Sequence, residues 1–291
     1  MIKTVIEILN QDCDQLKKTF EELISKYSAI YRWDEPGSFI ISSNPYSWKD
    51  LCIEGKQLQS RIFKEYLHFA ERSRLLLLNQ PPDYIASFDE SKNEIIAIIN
   101  QKDTHLSSSE KALSEVDKNL DNQIKLLDNI YDQSSGKILY VPDTNALLAN
   151  PRIEQWRFVD VSEFEIILTP TVLSELDVLK TNHRVEIVRK KAEGLIRQIK
   201  GYRGRGKLTE GVPLVNGVST LKSIAVEPNF NKTLSWLDPS NNDDRILASF
   251  IEVMKIYPNS PVIIVTNDIN MQNKAEFAGI PFIEPPELIM E

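Results

Sequence analysis

Four acidic positions in the C-terminal half carry the chemistry open to this chain. They are Asp143 in Val-Pro-Asp-Thr-Asn, Glu175 in Leu-Ser-Glu-Leu-Asp, Asp243-Asp244 in Asn-Asn-Asp-Asp-Arg-Ile-Leu, and Asp268 in Val-Thr-Asn-Asp. Each follows an apolar strand pattern or opens a helical one. In a protein of alternating strands and helices, strand C-termini lie side by side along one sheet edge, so residues distant in sequence converge there. Gathered carboxylates repel one another unless a hard divalent cation neutralises them, which points to Mg²⁺ or Mn²⁺. An all-oxygen cluster suits phosphodiester hydrolysis, in which a metal ion lowers the pKa of water and stabilises the departing oxygen. His68, His105 and His183 form no cluster in the sequence, and Cys13 and Cys52 have no ligand spacing.

Each acid also has a plain structural reading. Asp143 and Asp268 stand where an N-cap is wanted, and Asp is a favoured cap. Of Asp243 and Asp244, one can cap a helix while the other serves as a ligand. Glu175 falls among Val172, Leu173, Leu176 and Leu179, where either an exposed face or a half-buried acid is consistent. The joint order separates the readings. An acid follows the first strand, another lies on the helix after the second, a pair opens a late helix, and one follows the next strand.

The elements that must position these acids change character near residue 135. Residues 1–135 read as an all-α region, with Leu16, Phe20, Leu23 and Ile24 at helical spacing. A long helix is expected from about Ser47 to Leu78, broken by Asn79-Gln80-Pro81-Pro82. Further helices are expected around Ile96-Ile98-Ile99 and along Leu113-Val116-Leu120-Ile124-Leu127-Ile130. Asp34-Glu35-Pro36-Gly37 and Ser43-Asn44-Pro45 are turn signals, and Asp132 to Gly136 reads as a hinge.

Residues 136–291 alternate between strands and helices. Lys137–Pro142, Phe164–Pro170 and Pro261–Thr266 are apolar strand runs, Leu221–Val226 is a flanking strand, and Ile280–Ile283 is a last edge strand. A helix is expected from His183 to about Ile199. Apolar strands separated by helices imply a mainly parallel sheet covered on both faces, an α/β fold.

These residues resemble the PIN-domain family of metal-dependent nucleases. The resemblance rests on Asp143-Thr144-Asn145, Leu173-Ser174-Glu175-Leu176, Asn242 to Ala248, and Val265-Thr266-Asn267-Asp268, and covers roughly half of the chain. It implies a three-layer α/β/α domain with endoribonuclease activity on single-stranded RNA, single-stranded DNA being a second substrate class. It carries the catalytic and metal-binding roles onto Asp143, Glu175, Asp244 and Asp268, with Asp243 auxiliary. Asp143 is then the central ligand, Asp244 and Asp268 complete the main site, and Glu175 holds a second ion or its water. Thr144 and Thr266 match family hydroxyls that orient carboxylates.

From Lys180 to Lys207 the chain is rich in Lys and Arg, including Lys190, Lys191, Arg203 and Arg205. Tyr202-Arg203-Gly204-Arg205 reads as a flexible loop that can grip a phosphate backbone while a ring stacks on a base. A solvated helix face explains the same charges. Trp236 is a second stacking candidate or a core residue, and Asp238 reads as a turn residue.

Rival readings of a strand followed by Asp fit less well. A haloacid-dehalogenase-like phosphatase wants a second Asp where Asn145 stands. An adhesion-type metal site wants serines at positions 145 and 147, and a dinucleotide site wants glycines between residues 143 and 151. Two alternatives within the fold stay open: a non-catalytic RNA-binding or scaffold module, and a toxin-type ribonuclease controlled by a partner. The helical region suits a homo-oligomer or a regulatory protein.

The bulk composition sets broad bounds. With 291 residues, 42% hydrophobic content and a net charge of −8, the chain is an ordinary globular sequence without a polycationic coat. No apolar run approaches the roughly 20 residues that cross a bilayer, so no membrane partner is expected. Two unpaired cysteines fit a reducing, cytoplasmic setting.

Overall fold

A computed structural model describes residues 3–32, 45–102, 106–131 and 136–287. Contacts divide the chain into two compact units, Ile6–Gln133 and Ser134–Glu291, the second including Met1–Val5. The turn signals at 34–37 and 43–44, His105 and the expected hinge at 132–135 lie outside the described residues.

The first unit is helical. Helix α1 (Val5–Glu22) runs into a π-helical turn at Leu23–Tyr27. Leu9, Cys13, Leu16 and Phe20 make its buried stripe. A short antiparallel pair follows, β1 (Ile30–Arg32) with β2 (Tyr46–Trp48). Helix α2 therefore begins later than expected, at Ile53 rather than Ser47, and ends at Leu77. Ser47 is held in β2, and the Cys52 thiol accepts from the Gly55 N–H at the helix start. Pro82 opens α3 (Pro82–Ile99), where its missing N–H leaves no bond unmade. In α4 (Ser109–Asp128) the buried seam is Ala112, Val116, Asn119, Gln123 and Leu127. The Gln123 amide donates to the Tyr66 hydroxyl at 2.9 Å, which satisfies that polar group inside the core.

The second unit is α/β. Its order is β3 (Ile138–Pro142), α5 (Thr144–Ala149), β4 (Phe164–Leu168), α6 (Pro170–Asn182), α7 (Glu186–Arg203), β5 (Val212–Val215), β6 (Ser219–Ser223), α8 (Asn242–Ile256), β7 (Val262–Val265), α9 (Ile269–Phe277) and β8 (Phe282–Ile283). The strands form one sheet in the order β5-β6-β4-β3-β7-β8. Every neighbouring pair is parallel except β5 with β6. All residues of β4 and β7 are buried, as both faces of a covered parallel sheet require. Tyr140, Trp156, Phe158 and Phe164 pack as an aromatic group, with the Tyr140 and Phe158 rings stacked 3.6 Å apart.

Three features of this unit differ from the sequence reading. Helix α7 extends through Arg203, so Tyr202 and Arg203 are helical rather than part of a flexible loop. His183 is not helical: it lies at the C-cap of α6, with its Nδ1 accepting from the Val185 N–H. The strand β5 is also additional, joined to β6 through Asn216-Gly217. There Gly217 adopts φ +71°, a conformation glycine enters without a Cβ penalty.

The strand order fixes where a site can form. From the central β3 the chain moves to one side through β4 and β6, then returns to place β7 on the other side. The C-terminal ends of β3 and β7 thus flank the switch point of the sheet, where open α/β sheets hold their ligands.

Candidate active site

Asp143 is the first residue after β3 and lies at that switch point. Its N–H donates to the Val265 carbonyl of β7 at 3.0 Å, which fixes it between the two strands. It is the N-cap of α5: Oδ1 accepts from the Ala146 N–H at 2.6 Å. The capping reading therefore holds, and it leaves Oδ2 to the Thr266 hydroxyl at 2.5 Å. Asp143 is only 2% exposed. Burial pushes its pKa up to about 6; the Thr266 and Ala146 hydrogen bonds oppose the rise, and the charges of Asp268 and Glu175 add to it.

Asp268 caps α9 in the same way, its Oδ1 accepting from the Asn270 and Met271 N–H groups. Its own N–H donates to Thr266 Oγ1 at 3.0 Å, and Asn145 Nδ2 donates to its Oδ2 at 3.3 Å. Thr266, fully buried, thus joins the two acids on either side of the switch point. Asn145, at the start of α5, reaches Asp268 from the β3 side.

Glu175 lies on α6, half-buried, and its Oε2 accepts from the Thr144 hydroxyl at 2.5 Å. Burial raises its pKa, Thr144 opposes this, Asp243 raises it further, and Arg245 lowers it. Both threonine hydroxyls therefore donate to carboxylates.

The acidic pair behaves differently. Neither Asp243 nor Asp244 caps α8; Asn241 does, its Oδ1 accepting from both of their N–H groups. Asp244 is buried, with Oδ2 accepting from the Asp238 N–H at 3.0 Å and Oδ1 2.7 Å from Lys274 Nζ. Asp243 Oδ2 lies 3.5 Å from the same ammonium. Asp238 is a turn residue, as its sequence context suggests: its Oδ1 accepts from the N–H and hydroxyl of Ser240. Lys274 is the residue that sequence reasoning missed, because one lysine on a short helix looks like any solvated cation.

The Asp268 and Glu175 charges thus act on Asp143, and Asp243 acts on Glu175. Among the described residues, no three Asp, Glu, His or Cys side chains form a group already disposed to hold one metal ion. The donor set is nonetheless the one a hard cation wants: carboxylate oxygens, partly buried and mutually repelling, oriented by hydroxyl donors.

The basic segment resolves into separate roles. Lys190 pairs with Glu186 at 2.8 Å across one helical turn. Lys191 Nζ donates to the Leu148 carbonyl near the end of α5 at 3.0 Å. Tyr202 is buried, with its hydroxyl donating to Glu154 at 2.9 Å, so it offers no stacking face to a base. The Arg205 guanidinium lies over that ring, 5.0 Å from its centre. Trp236 packs edge-on against Phe277.

Arg203 instead lines a cleft of about 660 Å³ with Lys200, Lys207, Leu173, Ile199 and Leu208. Lys207 pairs with Glu210, while Lys200 and Arg203 make no ion pair among the described residues. Asp177, paired with Lys180, also lines this cleft. Leu173 and Asp177 are each two residues from Glu175, about 200° around α6, so acid and cleft lie on opposite faces of that helix.

Comparison with known proteins bears on the family of this unit. The human "Transcriptional protein SWT1" is 26% identical over 178 residues, 58% of this chain. The match spans 18% of that protein's length. The PIN-domain family model matches residues 140–284, from within β3 to just past β8. These residues, the C-terminal half of the chain, belong to the PIN-domain family.

Proposed function

We propose that the C-terminal unit is a divalent-metal-dependent endoribonuclease that hydrolyses phosphodiester bonds of single-stranded RNA. PIN domains are nuclease and RNA-related modules, and the observation that carries the finer reading is Asp143. It is a buried acid at the sheet's switch point, raised in pKa by burial and by Asp268 and Glu175. Among the described residues none of these three acids has an ion-pair partner. A protein keeps such charge where a cation or substrate will meet it.

Asp143, Glu175 and Asp268 would hold Mg²⁺ or Mn²⁺, while Asp244 and Asp243 flank them on α8. When bound, the ion supplies Lewis acidity and positive charge for phosphodiester hydrolysis. The chain's residues do the rest. Thr266 and Thr144 each orient one carboxylate oxygen, of Asp143 and of Glu175, and Asn145 steadies Asp268. Lys200 and Arg203 grip the substrate backbone across α6, with Arg205, Lys191 and Lys190 contributing at longer range.

The test is purified protein incubated with labelled single-stranded RNA and DNA, with Mg²⁺, Mn²⁺ or chelator, beside the Asp143→Asn and Asp268→Asn variants. Cleavage of RNA with metal by the wild type alone supports the reading. RNA binding without cleavage by any of the three proteins would identify a scaffold module instead.

A further inference from the structure

The acidic residues at this sheet edge are not equally compensated. Asp143, Glu175 and Asp268 have hydroxyl, amide and N–H donors and, among the described residues, no ion pair. Asp243 and Asp244 share one cation. Lys274 Nζ lies 2.7 Å from Asp244 Oδ1, 3.5 Å from Asp243 Oδ2 and 3.4 Å from Asn241 Oδ1. Three oxygens thus surround an ammonium whose compact charge suits carboxylate oxygens.

The placement follows from the fold. Asp268 caps α9, and Lys274 lies six residues further along the same short helix. The helix that contributes one acid to the switch point therefore also carries the cation for the N-terminus of α8. Burial opposes the charge on Lys274, but Asp244 and Asp243 outweigh it and raise the pKa.

We propose that Lys274 takes the place of a second cation. Its ammonium fills the α8 half of the acid cluster, so the centre takes one divalent ion, at Asp143, Glu175 and Asp268. Lys274 supplies the second positive charge facing the phosphate. The inference rests on the metal-dependent reading above and narrows it: the sequence pattern leaves room for a second ion, and this chain fills that room with a side chain. Two positive charges are what an in-line displacement calls for, one for each of the attacking and departing oxygens. Lys274 would be a positioning and electrostatic residue, not a proton donor.

The experiment counts bound Mn²⁺ per full-length chain by electron paramagnetic resonance and equilibrium dialysis, without RNA. Lys274→Met keeps most of the length of the side chain and removes its charge; Lys274→Gln also removes the charge but keeps a polar end. The wild type is expected to hold a single ion. Both variants are expected to gain a second, weaker one, because Asp243 and Asp244 are left uncompensated. Adding Asp244→Asn to Lys274→Met should remove that second ion again. Two ions on the wild type would overturn the inference and leave the nuclease reading standing. An unchanged single ion in both variants would also overturn it. No ion on any of the proteins would overturn both readings. The wild-type count comes first and holds whether or not a variant folds.

Discussion

The Thr266 hydroxyl donates to Asp143 Oδ2 at 2.5 Å and accepts the Asp268 N–H at 3.0 Å, so one buried oxygen couples the acids of two adjacent strands. Thr266→Val keeps the shape and removes both bonds. The expected cost is about 1–3 kcal/mol of stability, since a buried carboxylate and an N–H lose their partner. Mn²⁺ affinity should fall about 10–100-fold, as when an orienting partner of a ligand is lost. Thermal melts and Mn²⁺ titration read the two effects separately. Wild-type affinity in the variant would show that Thr266 orients nothing.

Asp143 sets a pH dependence whose sign can be worked out. Its folded pKa, about 6, lies above the ordinary carboxylate value of 3.8. The folded state therefore holds this proton more tightly than the unfolded one. The associated stability is present below about pH 4 and is lost as the pH rises to about 6. Asp143→Asn keeps an oxygen for the Ala146 N–H and carries no charge. In chelator at pH 7.5 it should be more stable than the wild type, on the order of 1–3 kcal/mol. The difference should vanish below about pH 4. Added Mn²⁺ should raise the melting temperature of the wild type only. A variant less stable than the wild type at pH 7.5 would contradict the account.

The basic residues should separate by their partners. Lys200→Ala and Arg203→Ala, on cleft cations that make no ion pair among the described residues, should weaken single-stranded RNA binding. Each lost phosphate contact should flatten the salt dependence by about 0.7. Lys190→Ala should have little effect, since Glu186 already occupies that charge. Mn²⁺ binding should not change in any of the three. Equal losses from all of them would indicate a diffuse basic surface rather than the cleft.

Tyr202 is predicted to matter for stability and not for RNA. Tyr202→Phe removes its bond to Glu154 and should cost about 1 kcal/mol in a denaturant titration. RNA affinity should be unchanged. A selective loss of RNA binding would restore the stacking role that its burial argues against.

Much of this was legible in the residues, and the misses have physical causes. Strands β3, β4 and β7 stand out because doubly covered strands are continuous apolar runs. Strand β5 does not: Val212-Pro213-Leu214-Val215 is a short edge strand with a proline, and its best signal was the Asn216-Gly217 turn after it. The core role of Tyr202 was available in the spacing of Ala192, Leu195, Ile199 and Tyr202 along one helical stripe, which the run of basic residues obscured. Asp143, Asp243, Asp244 and Asp268 stood out because each marks an element boundary, whereas Glu175, inside α6, stood out only through the joint order of the acids. Lys274 did not stand out, since only the packing of α9 beside α8 brings it to Asp244, and no local pattern announces that contact. Asn241 shows the same limit: the polar run Asn241 to Asp244 offers four plausible caps, and backbone geometry selects the first.

The central claim is that the acids around Asp143 make this PIN domain a metal-dependent ribonuclease. The most direct measurement follows the same 5′-labelled single-stranded RNA with wild-type protein and with Asp143→Asn, at saturating Mn²⁺, monitoring cleavage and binding together. The account predicts internal cleavage by the wild type, abolished by chelator and by the substitution, with RNA binding retained by the variant. Equal cleavage by both proteins, or cleavage that persists in chelator, would contradict it.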